Sequence, residues 1–404
     1  MALSPSDLTG LFKEAYPDEV LNLVPEAAKI IKMTEFQKRE KLGNKYHQPV
    51  LVQYSHGVTY AAANAGAFSL NSAISLAMQD AQIDATQIVL REAIGYDAAA
   101  KAVSKGVDSF VPATELLVQS MMESAMKRLE IACWYGSKGL CQNKAADTNV
   151  NTTTTKFNVS DATWSVGIFA GMKNAKVQFY NGVSLVSSGA DSIFTISALD
   201  VTNKIITVTG TTTGISALDT ASSSTLDMYF NGAKSAEMYG LDYIITNTGS
   251  LFNIDASAYE LWKGNSYSSG SAALTFGKVL AASASAVLFG LDEKASLFVS
   301  PRTWANLNSD LAALRRLDGG WSSEENKNGG KNIKYYAQNG EIEVVSHNII
   351  KEGEAFLIPL KRVKRIGMQE LSFKTPGRED EIFLHLPDNA GQYEGPVWEE
   401  SLAA

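Results

Sequence analysis

The side chains able to do chemistry are few and scattered. The chain has four histidines, His47, His56, His347 and His385, and two cysteines, Cys133 and Cys141. No HxxxH pair occurs, and no histidine stands three to five residues from a cysteine or from another histidine. A structural zinc site needs four ligands, usually in closely spaced pairs, and a disulfide framework needs more cysteines than these. The spacing therefore predicts no metal ligands.

Nucleotide and acyl-transfer signatures are also missing. There is no GxGxxG and no GxxxxGK[ST]; the nearest imitation is Gly277-Lys278, whose preceding Gly270 lies seven residues upstream instead of five. That spacing cannot wrap the amides of one tight loop around a phosphate. No GxSxG elbow occurs, and the serines have no histidine placed nearby in sequence as a base. The carboxylates are interspersed with lysines, with no isolated pair in an apolar setting to act as acid and base. Asn151-Thr152-Thr153 and Asn158-Val159-Ser160 match the glycosylation acceptor pattern, which means something only in a secreted chain. The expectation is no catalytic residue, no cofactor-binding residue, no metal ligand, no cofactor and no enzyme.

The elements that would position any such groups follow from composition and periodicity. The 404 residues predict two or three domains, or one domain with large embellishments. With 45% hydrophobic and 19% charged residues the chain buries a core and is not disordered. A net charge of −8 argues against a surface that grips nucleic acid throughout. No apolar run approaches the roughly 20 residues that cross a bilayer, and MALSPSDLTG has neither a basic nor an apolar leader region. A reducing cytoplasm, with no membrane partner, is the expectation.

Residues 1–47 read as short amphipathic pieces broken by prolines: 18–24, then 25–32 with Ala27, Ile30 and Ile31 on one face. Helices this short are marginal alone, so the segment needs something to lie against. Its basic half carries Lys29, Lys32, Lys38, Arg39, Lys41 and Lys45, which fits either an acidic partner or a solvated face. Residues 46–90 are stranger: their only formal charges are Asp80 and Asp84, with no lysine or arginine. Strand-like runs at 49–54, 57–60 and 82–90 flank a small-residue tip, which reads as a two-stranded arm about 20 residues a side, on the order of 60 Å if straight. An isolated hairpin is marginal and an uncharged edge invites pairing. Such an arm either reaches a neighbouring chain or folds back on its own domain.

A long helix is predicted over 111–135, with Leu117, Met121, Ala125, Leu129 and Cys133 every four residues and Met122 and Met126 alongside. Pro112 suits its first turn, Glu123 and Lys127 an i,i+4 pair, and Gly136 and Gly139 its end. Residues 143–235 are rich in Ser, Thr and Gly, with strands expected at 175–180, 192–198 and 204–208 between polar loops. Beyond 271, helices and strands alternate. Leu280, Ala284, Val287 and Leu288 mark a helix ending near Gly290, and 297–299 a buried strand. Ser300 caps a helix with Pro301 at its first position and Trp304, Leu307, Leu311 and Leu314 as its stripe; Arg315 and Arg316 fall in its last turn, before Gly319-Gly320. Asn339-Gly340 joins a hairpin of 333–337 and 341–345. Strands are expected at 355–359 and 381–386, then an acidic tail.

In this order the parts resemble a known family. The carrying stretches are QIVLREAIGYDAAAKAV, SAMKRLEIACWYGSKGL, TNTGSLFNIDASAYELWKGN, LFVSPRTWANLNSDLAALRR, YYAQNGEIEVVSHNIIKEGEAFLIP and VKRIG. Together they resemble the major capsid proteins of tailed bacteriophages, whose shell fold (the Johnson fold) is shared with herpesvirus capsids and encapsulins. The resemblance runs from about Tyr16 to the C-terminus, and order and spacing carry it more than any single motif. It implies an α+β subunit with an N-terminal arm (1–47), an E-loop hairpin (48–95) and a peripheral domain with a spine helix (96–142). A β-rich elaboration or projecting insertion (143–235), an axial domain (236–345) and C-terminal strands of the peripheral domain (346–404) complete it.

The function it implies is self-assembly, as hexamers and pentamers, into the icosahedral head around a double-stranded DNA genome. The location is the virion, after assembly in the host bacterial cytoplasm. Portal, scaffolding and decoration proteins are implied partners, and packaged DNA is contacted weakly and non-specifically. Some relatives weld their shells through an E-loop lysine; residues 46–90 contain none, so a non-covalent shell is expected. No long charged helical segment precedes the arm, so a fused scaffolding domain is not expected and assembly would rely on a separate scaffold protein or other factors. The cluster Lys361, Arg362, Lys364 and Arg365 reads as a DNA-facing patch, a solvated strand edge or an ion-pair partner for another subunit. The competing readings are an encapsulin-like cargo shell, a β-rich tail or adhesin protein, which should show internal β-repeats, and an α/β enzyme.

Overall fold

The computed structural model describes residues 28–38, 45–95, 113–144, 148–310, 333–338, 340–367, 371, 384–385, 392–400 and 402–403. They fall into two compact units.

The larger unit holds an eight-stranded antiparallel sheet in the Ser/Thr-rich part of the chain. Its order is Cys141–Gln142, Asp227–Phe230, Lys176–Asn181, Phe194–Asp200, Ile205–Thr209, Thr154–Asn158, Thr148–Asn151, with Ser184–Leu185 on Lys176–Asn181. The three strands expected from sequence are present within two residues of their predicted starts. Alternation explains them: Ile206 and Val208 point inward between half-buried neighbours, and the buried rings of Phe157, Phe179 and Phe194 pack tilted and edge-on, with centroids 4.7 and 5.2 Å apart. A helix, Thr212–Ala221, lies where only polar loop was expected. Thr211 caps it by accepting the Gly214 N–H at 3.0 Å, and Ile215 and Leu218 bury its inner face.

The same unit contains a four-stranded sheet ordered Ile333–Ala337, Gly340–Ser346, Ala295–Val299, Ala355–Ile358. The first two form the expected hairpin, with Gly340 at φ +104°, a conformation that glycine adopts without steric cost. Helices Phe276–Leu288 and Pro301–Ser309 supply Phe276, Val279 and Leu307 to a core completed by Leu297, Val299, Ile342 and Val344. Ser300 caps the second helix as expected, accepting the Thr303 N–H at 3.3 Å. Leu311, Leu314, Arg315, Arg316 and Gly319-Gly320 lie outside the described residues. The first helix departs from expectation: its buried face is Phe276, Val279 and Ser283, while Leu288 and the following Phe289 are exposed. The predicted stripe is rotated by about one residue, because the helix starts at Phe276 and that ring sets the inward direction.

The long helix runs Ala113–Tyr135, about 35 Å at 1.5 Å per residue. Met121, Ala125, Leu129 and Cys133 are buried as predicted, and Met122 and Met126 are half-buried; Pro112 and the Leu117 side chain lie outside the described residues. Lys127 is also buried: its ammonium donates to the Ala170 carbonyl, while Glu123 accepts from Gln119 at 3.2 Å. Burial lowers the Lys127 pKa to about 8. At the C-terminal end Trp134 packs against Phe298 and Phe356, with ring centroids 5.0 and 5.2 Å away. Just past the helix end, residue 136 must be glycine for a steric reason. Gly136 and Gly240 sit back to back, Gly240 N–H donating 3.0 Å to the Gly136 carbonyl, and a β-carbon on Gly136 would stand 2.3 Å from the Met238 carbonyl oxygen.

Helix Ile30–Met33 leads into strand Glu35–Lys38, parallel to Lys364–Gly367, which also pairs with Leu402–Ala403. The segment that needed a support thus finds one on its own chain. The helix expected over 25–32 is four residues long, and the piece at 18–24 lies outside the described residues.

In the smaller unit, Leu384–His385, Gln392–Glu400 and Gln87–Gly95 form a three-stranded sheet, and Met121 and Ala125 pack with Leu90 and Leu371. Leu384–His385 is the described part of the strand expected at 381–386.

Candidate assembly surface

Strands Lys45–Gln53 and Ala77–Asp84 pair antiparallel, from Lys45 opposite Asp84 to Gln53 opposite Ala77. Each side is about 30 Å of ladder at 3.3 Å per residue, half the length expected from sequence. Two corrections explain this. The return strand ends at Asp84, and Gln87–Gly95 joins another sheet; the run 57–60 is irregular. Beyond the ladder the two sides still meet, through His56 N–H to the Ile74 carbonyl at 3.1 Å and Asn71 Nδ2 to the Val58 carbonyl at 2.9 Å.

The root of the arm is fixed to its own chain. Ala81 is buried with Leu251, Phe252 and Ile254, and Val50, Ile83, Tyr259 and Trp262 pack around them. Ser250–Leu251 and Ile254–Asp255 form a tight hairpin whose two loop residues, Phe252 (φ +52°) and Asn253 (φ +65°), are both left-handed. A phenylalanine there costs on the order of 1 kcal/mol. Its ring is held against Tyr239, centroids 5.7 Å apart, and its carbonyl accepts the Gln82 N–H at 3.0 Å. Gln79 Nε2 donates to the Tyr259 hydroxyl at 2.9 Å. His47 Nδ1 and Asp80 Oδ2 are 2.6 Å apart across the strands; that bond is the main cause lowering the Asp80 pKa.

Among the described residues, the outer part of the arm has no such cover. Leu51, Tyr54, Val58, Tyr60, Phe68, Leu70, Ile74, Leu76 and Met78 are all exposed, with Tyr60 at 91% and Leu70 at 78% of full accessibility. Nine large apolar side chains within 28 residues, with no formal charge among them, exceed the scattered exposure usual on a monomer's surface. This is the chemistry of a surface made to be covered.

The chemically capable residues are dispersed. His347 is fully buried, His47 is paired on the arm, His56 is exposed, and of His385 only the backbone is described. Cys133 and Cys141 are both buried thiols, Cys141 Sγ lying 4.0 Å from Met228 Sδ. Lys278 donates to the Ser269 and Ala273 carbonyls at 2.9 and 3.0 Å, so its loop presents oxygens, the opposite of a phosphate cradle. Among the described residues no three His, Cys, Asp or Glu side chains converge as a metal site would require, and no helix is long and apolar enough to cross a membrane.

Two sequence expectations need correction. Of the basic cluster, Arg362 pairs with Asp292 and Glu293 of its own chain at 2.8 and 3.1 Å, and Arg365 is buried, donating to the Ile31 carbonyl at 3.3 Å. The fold uses two of the four cations internally; Lys361 and Lys364 stay exposed. The carboxylates are also less solvated than their lysine-rich neighbourhoods suggest. Glu130 is fully buried, and burial raises the pKa of Glu237 and Glu354, opposed by Arg128 and Lys351 respectively. Sequence reading missed Glu130, although its signal was there: an acid four residues before Trp134 on an otherwise apolar helix turn.

The chain has the Johnson-type phage capsid fold. It superposes on a chain of the cyanophage A-1(L) capsid asymmetric unit with a TM-score of 0.57 at 11% identity, covering 100% of this chain and 96% of that one. A structure from Mycobacterium phage Cain matches at TM-score 0.46 and 11% identity, covering 100% and 92%. The capsid of an empty GTA particle matches at TM-score 0.47 and 8% identity, covering 99% and 94%. The fold assignment rests on the cyanophage chain. No protein-family model and no curated protein matches the sequence.

Proposed function

We propose that the protein is the major capsid protein of a tailed phage, assembling as hexamers and pentamers into an icosahedral head around double-stranded DNA. The observation that carries this is the uncharged arm. Its root is built into the subunit by the Phe252 hairpin, while nine large apolar side chains beyond it stay exposed among the described residues, in a fold shared with a phage capsid subunit. A second copy of the same chain is the partner that a shell always supplies, and burial of such a surface is the main drive to association. In this reading 1–47 is the N-terminal arm and 48–95 the E-loop. Residues 96–142 and 346–404 are the peripheral domain, 143–235 the β-rich elaboration and 236–345 the axial domain.

The shell is non-covalent, because 46–90 offers no lysine to a neighbour. An acidic chain suits a container whose DNA must slide past it, so DNA is touched weakly and non-specifically. Portal, scaffolding and decoration proteins are its partners, the host bacterial cytoplasm its place of assembly and the virion its destination.

Electron microscopy of the purified chain, alone and with the products of neighbouring genes, tests the reading. Closed shells or capsomers are expected, and persistent monomers under every condition would refute it. Boiled, denatured particles should migrate as single subunits; a ladder of linked chains would refute the non-covalent part.

A further inference from the structure

The most unusual polar group in the larger unit is the carboxylate of Glu130, fully buried near the end of the long helix. Its Oε1 accepts from Ile30 N–H and His347 Nε2, both at 2.7 Å, and from Trp134 Nε1 at 3.3 Å. Its Oε2 accepts from Ile31 N–H at 3.1 Å. His347 is also fully buried; its Nδ1 lies 3.1 Å from Asn348 Oδ1 and 3.3 Å from the Ile349 nitrogen, and since a carboxylate only accepts, Nε2 is the donor to Glu130. Two of the four donors to this carboxylate are thus fixed parts of the core, and two are the backbone N–H groups of Ile30 and Ile31.

We propose that residues 28–38 form a strap that opens as a unit, with Glu130 as its latch and His347 as the residue that positions the latch. Besides the two N–H groups, the strap is held by the burial of Ala28, Ile30 and Ile31, by the Arg365 bond to the Ile31 carbonyl and by the short parallel strand Glu35–Lys38. Lys29 Nζ adds a bond to the Ser346 carbonyl at 2.6 Å. A buried carboxylate is tolerated only while its donors are in place. Withdrawing Ile30 and Ile31 removes both at once and leaves the charge with half its partners, so partial lifting is the worst state and the strap is either seated or off. Residues 28–38 therefore have a docked state on their own subunit and a released state. The released state gains a use from the shell reading, on which this last step rests: an arm freed from its own subunit is available to a second copy.

Hydrogen exchange read by mass spectrometry on the isolated subunit tests the latch without reference to assembly. In Glu130→Gln the amide keeps the shape but turns an acceptor into a donor, facing N–H groups. Exchange in peptides covering 28–38 is expected to rise on the order of a hundredfold, while peptides covering the core strand Ala295–Val299 stay at the wild-type rate. His347→Ala should raise the same strap peptides by a smaller factor, since Trp134 still orients the carboxylate. An unchanged strap, or a strap and core strand that rise together, would overturn the latch; Ile30→Ala, which leaves the carboxylate and its donors intact, gives the rise expected from lost packing alone and must fall well short of Glu130→Gln. Sedimentation of the same variants tests the use: with the latch established, unaltered assembly of Glu130→Gln would overturn the regulatory step and leave the shell reading standing.

Discussion

Replacing Tyr60, Phe68 and Leu70 together by alanine should abolish assembly and leave the subunit folded. Burying a large apolar side chain is worth about 1.5–3 kcal/mol relative to leaving it exposed. Tyr60, Phe68 and Leu70 are 91%, 55% and 78% exposed, so most of that gain is still available to a partner. Taking about 2 kcal/mol each for Tyr60 and Leu70 and about 1 for Phe68, and allowing for the β-carbons that remain, each docked arm loses about 4 kcal/mol. At 1.4 kcal/mol per decade that is about a thousandfold in association at each arm contact. Because these side chains lie outside the subunit's buried clusters, unfolding free energy should move by no more than about 0.5 kcal/mol. Sedimentation velocity across a concentration series, paired with urea unfolding of the monomer, reads both quantities. Assembly at the wild-type concentration would show that the exposed arm is not the associating surface. A fall of several kcal/mol in stability would show that the arm packs on its own subunit, and the reasoning would fail.

Further outcomes follow from the interior. Gly136→Ala should destabilise by about 1–3 kcal/mol, since its β-carbon meets backbone oxygens that cannot move aside; a thermal midpoint equal to wild type would disprove the close approach to Met238 and Gly240. Ser300→Ala should cost about 1 kcal/mol through loss of the bond to the Thr303 N–H, measured by urea unfolding. Burial raises the Glu354 pKa in the folded subunit, so the folded state holds that proton more tightly than the unfolded chain, which ionises near 4.3. Stability from this group is therefore fullest below the unfolded value and is lost as pH rises through the folded one. Glu354→Gln should lose less stability than wild type between pH 4 and pH 7, and equal losses would count against the burial argument.

Much of the fold is legible in the sequence because its signals are local. The four-residue recurrence from Met121 to Cys133 and the Ser300-Pro301 start each act over one or two turns of chain and appear where they were expected; the hairpin of 333–337 also forms, with Gly340 as the first residue of its second strand instead of part of the turn. The missed helix Thr212–Ala221 has its own local signal, a Thr cap and an Ile215–Leu218 pair, hidden in a run of serines and threonines. The helix Phe276–Leu288 is present with its face rotated, because several apolar residues compete and only the sheet beneath decides which turns inward.

What the sequence determined alone was the character of the arm. Charge is a property of residue type, so a stretch of 46–90 with only two aspartates is nearly uncharged whatever shape it takes. Tertiary structure decided how much of it projects. Pairing ends at Asp84 because Gln87–Gly95 is taken by another sheet, and the root is fixed by Phe252, a residue in a backbone conformation that no local pattern would choose. It also decided the fate of the polar groups: Arg365 went inside, and Glu130 met donors about 100 and 217 residues away. Those partners are assembled by packing, and packing between distant segments leaves no periodicity for a sequence to display.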